Sequence, residues 1–171
     1  LSDPRVKVVN DDAFTYVQNS KATYDVALID LVDPSNEKLA KLYSTEFYRN
    51  IEARLAPEGV MVTQATSTFF SPHAFSTVAS TVAAAQPDRQ ILPFSTNVPS
   101  FGEWGFVLST RTPQNLISQP LPKGLTYQDR KTLEFIMRTK PARTEFMEPS
   151  TLLHPRIVEV YNQDMRQWRY Y

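Results

Sequence analysis

The sequence predicts an α/β fold with a mostly parallel sheet, and three observations lead there. Val26, Ala27, Leu28 and Ile29 form an unbroken apolar run, which suits a strand buried on both faces of a parallel sheet. Val60, Met61 and Val62 repeat the pattern, with helically spaced apolar residues in the segments between and after the two runs. Two later strands follow each other closely, as a hairpin would. The first run stops at Asp30-Leu31-Val32-Asp33-Pro34, where the proline prevents the chain from continuing as a ladder. Ligands of open α/β sheets bind just beyond the carboxyl ends of strands, so Asp30 and Asp33 stand where a cleft forms. The same residues also suit a plain structural reading, with Asp33-Pro34 a turn and Asp30 a helix cap.

Taken in order, Val6, Val8 and Val9 make a short strand closed by Asn10-Asp11-Asp12. Asp11 or Asp12 can cap the helix through Ala13, Phe14, Tyr16 and Val17. After the central strand, residues Ser35 to Tyr43 form a loop or short helix, a candidate lid over the cleft. Ser44 opens a helix as a hydroxyl cap, with Glu46 in the first turn and Phe47, Ile51 and Leu55 along one face. Ala56-Pro57-Glu58-Gly59 breaks it. The next strand, Val60 to Val62, ends at Thr63-Gln64-Ala65-Thr66-Ser67, so Gln64 stands at a second carboxyl end. A glutamine there can reach into the cleft or satisfy loop backbone. Ser71-Pro72 starts another helix, with Phe75, Val78 and Val82 inward and a stop at Pro87. Strands from Arg89 to Ser95 and from Trp104 to Thr110 follow, with Trp104 and Phe106 read as core. A hairpin-like pair ending an otherwise parallel sheet is the pattern of the methyltransferase-type Rossmann fold.

The remainder, residues 112–171, is expected to be a proline-rich connection and a helical extension of the domain formed by residues 1–111. Thr126 and Asp129 form a variant capping box for a helix to about Thr139, whose basic end (Arg138, Lys140, Arg143) suits the helix dipole. Ile157, Val160, Tyr161, Met165 and Trp168 form an apolar stripe that docks on the domain, with a membrane-surface or partner contact as the other reading.

Composition excludes several function classes. The 18 basic and 18 acidic residues cancel, so nothing points to nucleic acid or anionic lipid. No cysteine is present, which removes disulfide and thiolate chemistry. His73 and His154 lack companions for a metal site, and no apolar run approaches the roughly 20 residues of a membrane span. Only four glycines occur, and none makes a strand–glycine-rich turn–helix to cradle a nucleotide. The chain begins at Leu1 in mid-pattern, as a fragment of something longer would.

Asp-x-x-Asp-Pro after a buried strand, followed by Leu-Tyr-Ser-Thr-Glu-Phe-Tyr, resembles the polyamine aminopropyltransferases, the spermidine synthase family. The run DLVDPSNEKLAKLYSTEFYRNIEARLAPEGVMVTQATS, with VPSFGEWGFVLST later, is closer still to the bacterial branch fused to a membrane domain. The likeness covers roughly residues 4–110, and more loosely the tail from Glu148 to Trp168. It implies an incomplete methyltransferase-type Rossmann-like fold that transfers an aminopropyl group from decarboxylated S-adenosylmethionine to an acceptor such as putrescine, releasing methylthioadenosine. No tightly bound cofactor and no metal are implied. Asp30 then matches the residue beside the attacking nitrogen, as proton acceptor or orienter, and Asp33 the one that helps hold the amine. Gln64 would hydrogen-bond an amine of the substrate. Asp12 matches the adenine-binding acid, with Ala13 after it and Asp11 where the family has glycine. The family tyrosine beside the amine is replaced by Val98, and Phe101 is the candidate for its aromatic wall.

The resemblance also implies a parent whose N-terminal half and membrane domain lie upstream of Leu1, anchored at the cytoplasmic face of a bacterial inner membrane. Two family strands would be missing between Val6–Val9 and Val26–Ile29, a gap of roughly 10 to 15 Å. The early strand is therefore expected to pair directly with the Val26–Ile29 strand or with another chain, possible in a homo-oligomer because open edges invite association. Two other functions suit the scaffold: an S-adenosylmethionine-dependent methyltransferase relative, and a non-catalytic polyamine- or nucleoside-binding domain of a membrane protein.

Overall fold

The structure is a computed structural model and describes residues 2–113, 120–125, 129–138 and 145–168. Its helices are α1 (Ala13–Asn19), α2 (Glu37–Ala40), α3 (Thr45–Glu52), α4 (Pro72–Ala85), α5 (Arg130–Arg138) and α6 (Arg156–Arg166). Its strands are β1 (Tyr24–Ile29), β2 (Leu55–Gln64), β3 (Gln90–Val98) and β4 (Gly102–Thr110).

The four strands form one sheet in the order β1-β2-β4-β3. β1 runs parallel to β2, β2 antiparallel to β4, and β4 antiparallel to β3. The expected α/β fold with its late hairpin is present, but the sheet is mixed rather than mostly parallel. The difference lies in Val6–Val9, which forms no strand and pairs neither with β1 nor with any other described strand. A strand exists only where a neighbour takes up its backbone groups, and this short run lies exposed after a turn closed by Val6 N–H to Asp3 O.

Register explains which residues become core. Ala27 pairs with Met61 and Met61 with Ser109, while Ile29 pairs with Thr63 and Thr63 with Val107. These rows face a helical layer in which α1 adjoins α3, α3 adjoins α4 and α4 adjoins α6. Phe14, Phe47, Phe75, Val78 and Val82 from those helices, with Ile157 of α6, complete the cluster. Alternation turns Val26 and Leu28 to the opposite face, where they remain 57% and 77% exposed. The expectation of a strand buried on both faces therefore fails for β1. An apolar run signals demand for a second layer but does not supply one.

Local signals decide most boundaries. Asp12 caps α1 by accepting from Thr15 N–H, Asn36 caps α2, and Ser44 caps α3 by accepting from Phe47 N–H at 3.2 Å. α2 and a 3-10 turn over Lys41–Tyr43 occupy the expected lid. α3 stops at Glu52, and Leu55 is the first residue of β2 instead of the last of the helical face. Ala56-Pro57-Glu58-Gly59 forms a bulge within β2, between the pairs Tyr24–Leu55 and Val26–Val60. Helix α4 takes its N-terminal acceptor from afar: Asp164 of α6 receives the N–H groups of His73 and Ala74, both at 2.9 Å. This contact docks the expected C-terminal stripe on the domain, with Ile157 fully buried. Asp129 accepts from Thr132 N–H at 2.7 Å at the start of α5. Thr126, Thr139, Lys140, Arg143 and the last three residues fall outside the described residues, as does much of the proline-rich connection.

Candidate active site

The carboxyl ends of β1 and β2 lie side by side, because the two strands are parallel neighbours. Beyond them opens a cavity of about 960 Å³ whose lining includes Asp30, Asp33, Gln64, Phe101, Trp104 and Tyr161. A second cavity, of about 490 Å³, is bordered by Asp30, Asp11, Ala13, Tyr16 and Val26. Asp30 thus lines both. It is exposed and forms no hydrogen bond or ion pair among the described residues, so its carboxylate is uncommitted.

Asp33 differs from it in every respect. It is partly buried behind the loop, and burial pushes its carboxyl above the usual carboxylate range, against the opposing pull of the Tyr161 hydroxyl and the nearby Gln64 amide. The Tyr161 hydroxyl, from α6, donates to Asp33 Oδ2 at 2.9 Å.

Gln64 is fully engaged. Its amide nitrogen donates to Leu31 O and to the Tyr43 hydroxyl, both at 2.6 Å. Its amide oxygen accepts from Thr66 N–H at 2.8 Å and from the Trp104 indole N–H at 3.1 Å. Two donors and two acceptor positions are the whole capacity of the side chain. Gln64 therefore ties the β1 loop, the lid turn and β4 together, and a substrate amine would have to displace one of these partners. Tyr43 in turn donates to Val32 O at 2.8 Å, and burial raises its hydroxyl pKa so far that it stays a donor. Trp104, read from the sequence as core, is half-buried in the wall of the cavity, with Phe101 packed edge-to-face on it at 5.5 Å. Phe101 itself is 61% exposed.

The loop after β2 carries strain. Thr66 has φ 67°, a left-handed conformation that costs a β-branched residue about 1–3 kcal/mol. It is held there by Gly105, whose N–H donates to Thr66 O at 2.7 Å and whose carbonyl accepts from Ala65 N–H at 2.9 Å. A Cβ at Gly105 would collide with the Phe75 ring, so only glycine lets β4 approach this closely.

Asp12 lines neither cavity. One oxygen caps α1 and the other meets the Lys41 ammonium at 2.6 Å, an arrangement that holds its pKa down at about 2. Ala13 and Asp11 are the residues of that segment that border the smaller cavity. Of the sequence-derived candidates, then, Asp30, Asp33, Gln64 and Phe101 share one cavity, Ala13 shares the other with Asp30, and Asp12 stands apart. The sequence reading missed Tyr43 and Tyr161 as polar partners. Tyr161 lies on the apolar stripe, and only a hydroxyl at the end of an otherwise inward ring could have marked it.

A parallel pair with acids at its carboxyl end, closed by an antiparallel hairpin, defines a methyltransferase-like α/β domain. Residues 1–119 match the spermine/spermidine synthase domain, and the chain belongs to that family. It is 41% identical to polyamine aminopropyltransferase 1 of Streptomyces coelicolor over 176 residues, covering all of this chain and 32% of that protein. It is 38% identical to the polyamine aminopropyltransferase of Mycobacterium tuberculosis over 173 residues, covering 97% of this chain and 32% of the other. The chain thus spans about a third of the length of these relatives. A crystal structure of a spermidine synthase with the transition-state analogue AdoDATO superposes with a TM-score of 0.66 at 21% identity, over 81% of this chain and 50% of that one. The spermidine synthase of Thermotoga maritima gives 0.63 at the same identity, over 81% and 48%. These two likenesses establish the fold.

Proposed function

We propose that this chain carries the catalytic acids and the amine side of a polyamine aminopropyltransferase, which moves an aminopropyl group from decarboxylated S-adenosylmethionine to a diamine such as putrescine. The observation that carries the reading is the single cavity in which Asp30, Asp33 and Gln64 meet at adjacent strand ends. A diamine is mostly cationic at neutral pH, so a carboxylate is needed to hold its charged end and another to take the proton from the attacking end. Asp33, partly buried and held by Tyr161, serves the first role. Asp30, uncommitted at the border of both cavities, serves the second. The nitrogen lone pair forms a C–N bond as the C–S bond breaks. The bonding pair goes to the sulfonium, giving the neutral thioether methylthioadenosine, and the ammonium proton passes to Asp30 and on to water. The positive sulfur supplies the leaving-group activation, so the scheme needs no metal and no tightly bound cofactor.

The smaller cavity, with Ala13 at its border, is assigned to the nucleoside, and Asp12 reaches the adenine only by giving up Lys41. Phe101 and Trp104 supply the aromatic wall. The boundary near residue 111 separates the core from an extension that contributes Tyr161 to the site. We extend the reading to a cytoplasmic enzyme whose parent is held at the inner face of a bacterial membrane, on the likeness of Asp30–Ser67 to the membrane-fused branch. Among the described residues no helix is long and apolar enough to cross a membrane. The bare apolar face of β1 is where the parent's upstream half, or a second copy, would pack.

Calorimetry of the full-length protein tests the amine site. Putrescine should bind, and Asp33→Asn should weaken it about ten- to a hundred-fold, the loss of one charge-assisted contact, while methylthioadenosine binding stays unchanged. Equal putrescine affinity in the variant contradicts the assignment.

A further inference from the structure

We propose that Tyr161 is a positioning residue for the amine: its hydroxyl holds Oδ2 of Asp33 and leaves Oδ1 to receive a cationic nitrogen. The inference rests on reading the larger cavity as the amine site. Tyr161 comes from 128 residues further along the chain and lines the same cavity as Asp33. The Tyr161 hydroxyl meets Oδ2, and the Gln64 amide beside the carboxylate is already committed to Leu31 O and the Tyr43 hydroxyl.

The phenol can orient a carboxylate because α6 is itself fixed. Asp164 joins it to the start of α4, and the Trp168 indole donates to Phe70 O at 2.9 Å. Asn162 donates to Ser35 O at 3.5 Å, so the helix grips the acid's own loop as well. Burial and the neighbouring Asp33 charge raise the Tyr161 hydroxyl well above its ordinary range, so it remains protonated and donates at neutral pH. Asp33 is faced from the other elements by Tyr43 of the lid turn and by Gln64 of β2, and the charge of Asp30 also reaches Tyr43. Tyr161 and Gln64 oppose the effect of burial on its charge. Without the phenol, Asp33 gains both rotational freedom and a tendency to be neutral. A neutral, unheld acid is a poor partner for an ammonium group.

The test uses Tyr161→Phe in the full-length protein with putrescine as the probe, which keeps the ring and removes only the donor. The KM for putrescine should rise about ten-fold, the loss expected for one hydrogen bond to a charged group, with kcat within about two-fold and the KM for decarboxylated S-adenosylmethionine unchanged. The acid limb of kcat/KM for putrescine should move to higher pH. An independent readout needs no turnover: the carboxyl carbon of Asp33, assigned by its loss in Asp33→Asn, is titrated by NMR in wild type and variant. Its midpoint should rise in Tyr161→Phe. An unchanged midpoint, or a fall in kcat with an unchanged KM for putrescine, overturns the inference. A wild-type protein that turns over no diamine sinks the aminopropyl reading instead, and the Asp33 midpoint still decides whether Tyr161 controls that acid.

Discussion

Replacing Asp30 with alanine in the full-length protein should lower turnover about a hundred- to ten-thousand-fold, the range a positioned general base supplies. The structure makes this effect separable from folding. Asp30 is exposed and has no hydrogen bond or ion pair among the described residues, so stability should change by less than about 0.5 kcal/mol. The residue borders both cavities, so under the proposed assignment its carboxylate meets the reactants only when amine and nucleoside are both in place. The KM for decarboxylated S-adenosylmethionine should therefore move little. Asp30→Asn should lose nearly as much activity as alanine, because the amide keeps the shape but accepts no proton. Steady-state kinetics on both variants, with a melting curve for each, check the result. Full activity in either variant removes the base.

Asp164→Ala should give the largest loss of stability, about 2–4 kcal/mol. This carboxylate is 4% exposed and accepts both free N–H groups at the start of α4, while its second oxygen meets the His73 ring at 2.6 Å. Removing it leaves two amide hydrogens at the start of α4 without partners, each worth on the order of 1 kcal/mol or more, while the half-exposed His73 ring can turn to water. It also unties α6, on which Tyr161 stands. Asp164→Asn keeps an acceptor and should lose roughly half as much. Chemical denaturation measures both, and a loss below about 0.5 kcal/mol in the alanine variant contradicts the role.

What could be read from the chain follows the range of the forces involved. Ser44 before Phe47, Asp12 before Thr15, and proline at the first turn of α4 act within four residues, and each helix begins where these predict. The apolar runs of β1 and β2 ended where Asp30 and Gln64 stand, so the shared cleft could be anticipated from strand ends alone. Val6–Val9 misled because strand propensity counts only where a pairing edge exists, and no described edge meets it. Leu55 misled because spacing of four continues an apolar face on paper after the helix has turned. Tyr161 and Asp164 were illegible as polar anchors for a related reason. Their partners, Asp33 and the start of α4, lie about ninety or more residues away, and no local pattern encodes a contact across that separation. Gln64 was legible as a residue at the cleft, but its four commitments come from Leu31, Tyr43, Thr66 and Trp104 together.

Product identity is the most direct measurement of the central claim. The full-length protein is incubated with putrescine and decarboxylated S-adenosylmethionine, and separately with S-adenosylmethionine, and the products are resolved by mass spectrometry. Aminopropyl transfer predicts spermidine and methylthioadenosine in equal amounts from the first mixture, and nothing from the second. S-adenosylhomocysteine with a methylated amine from the second mixture, or no product from either, contradicts it.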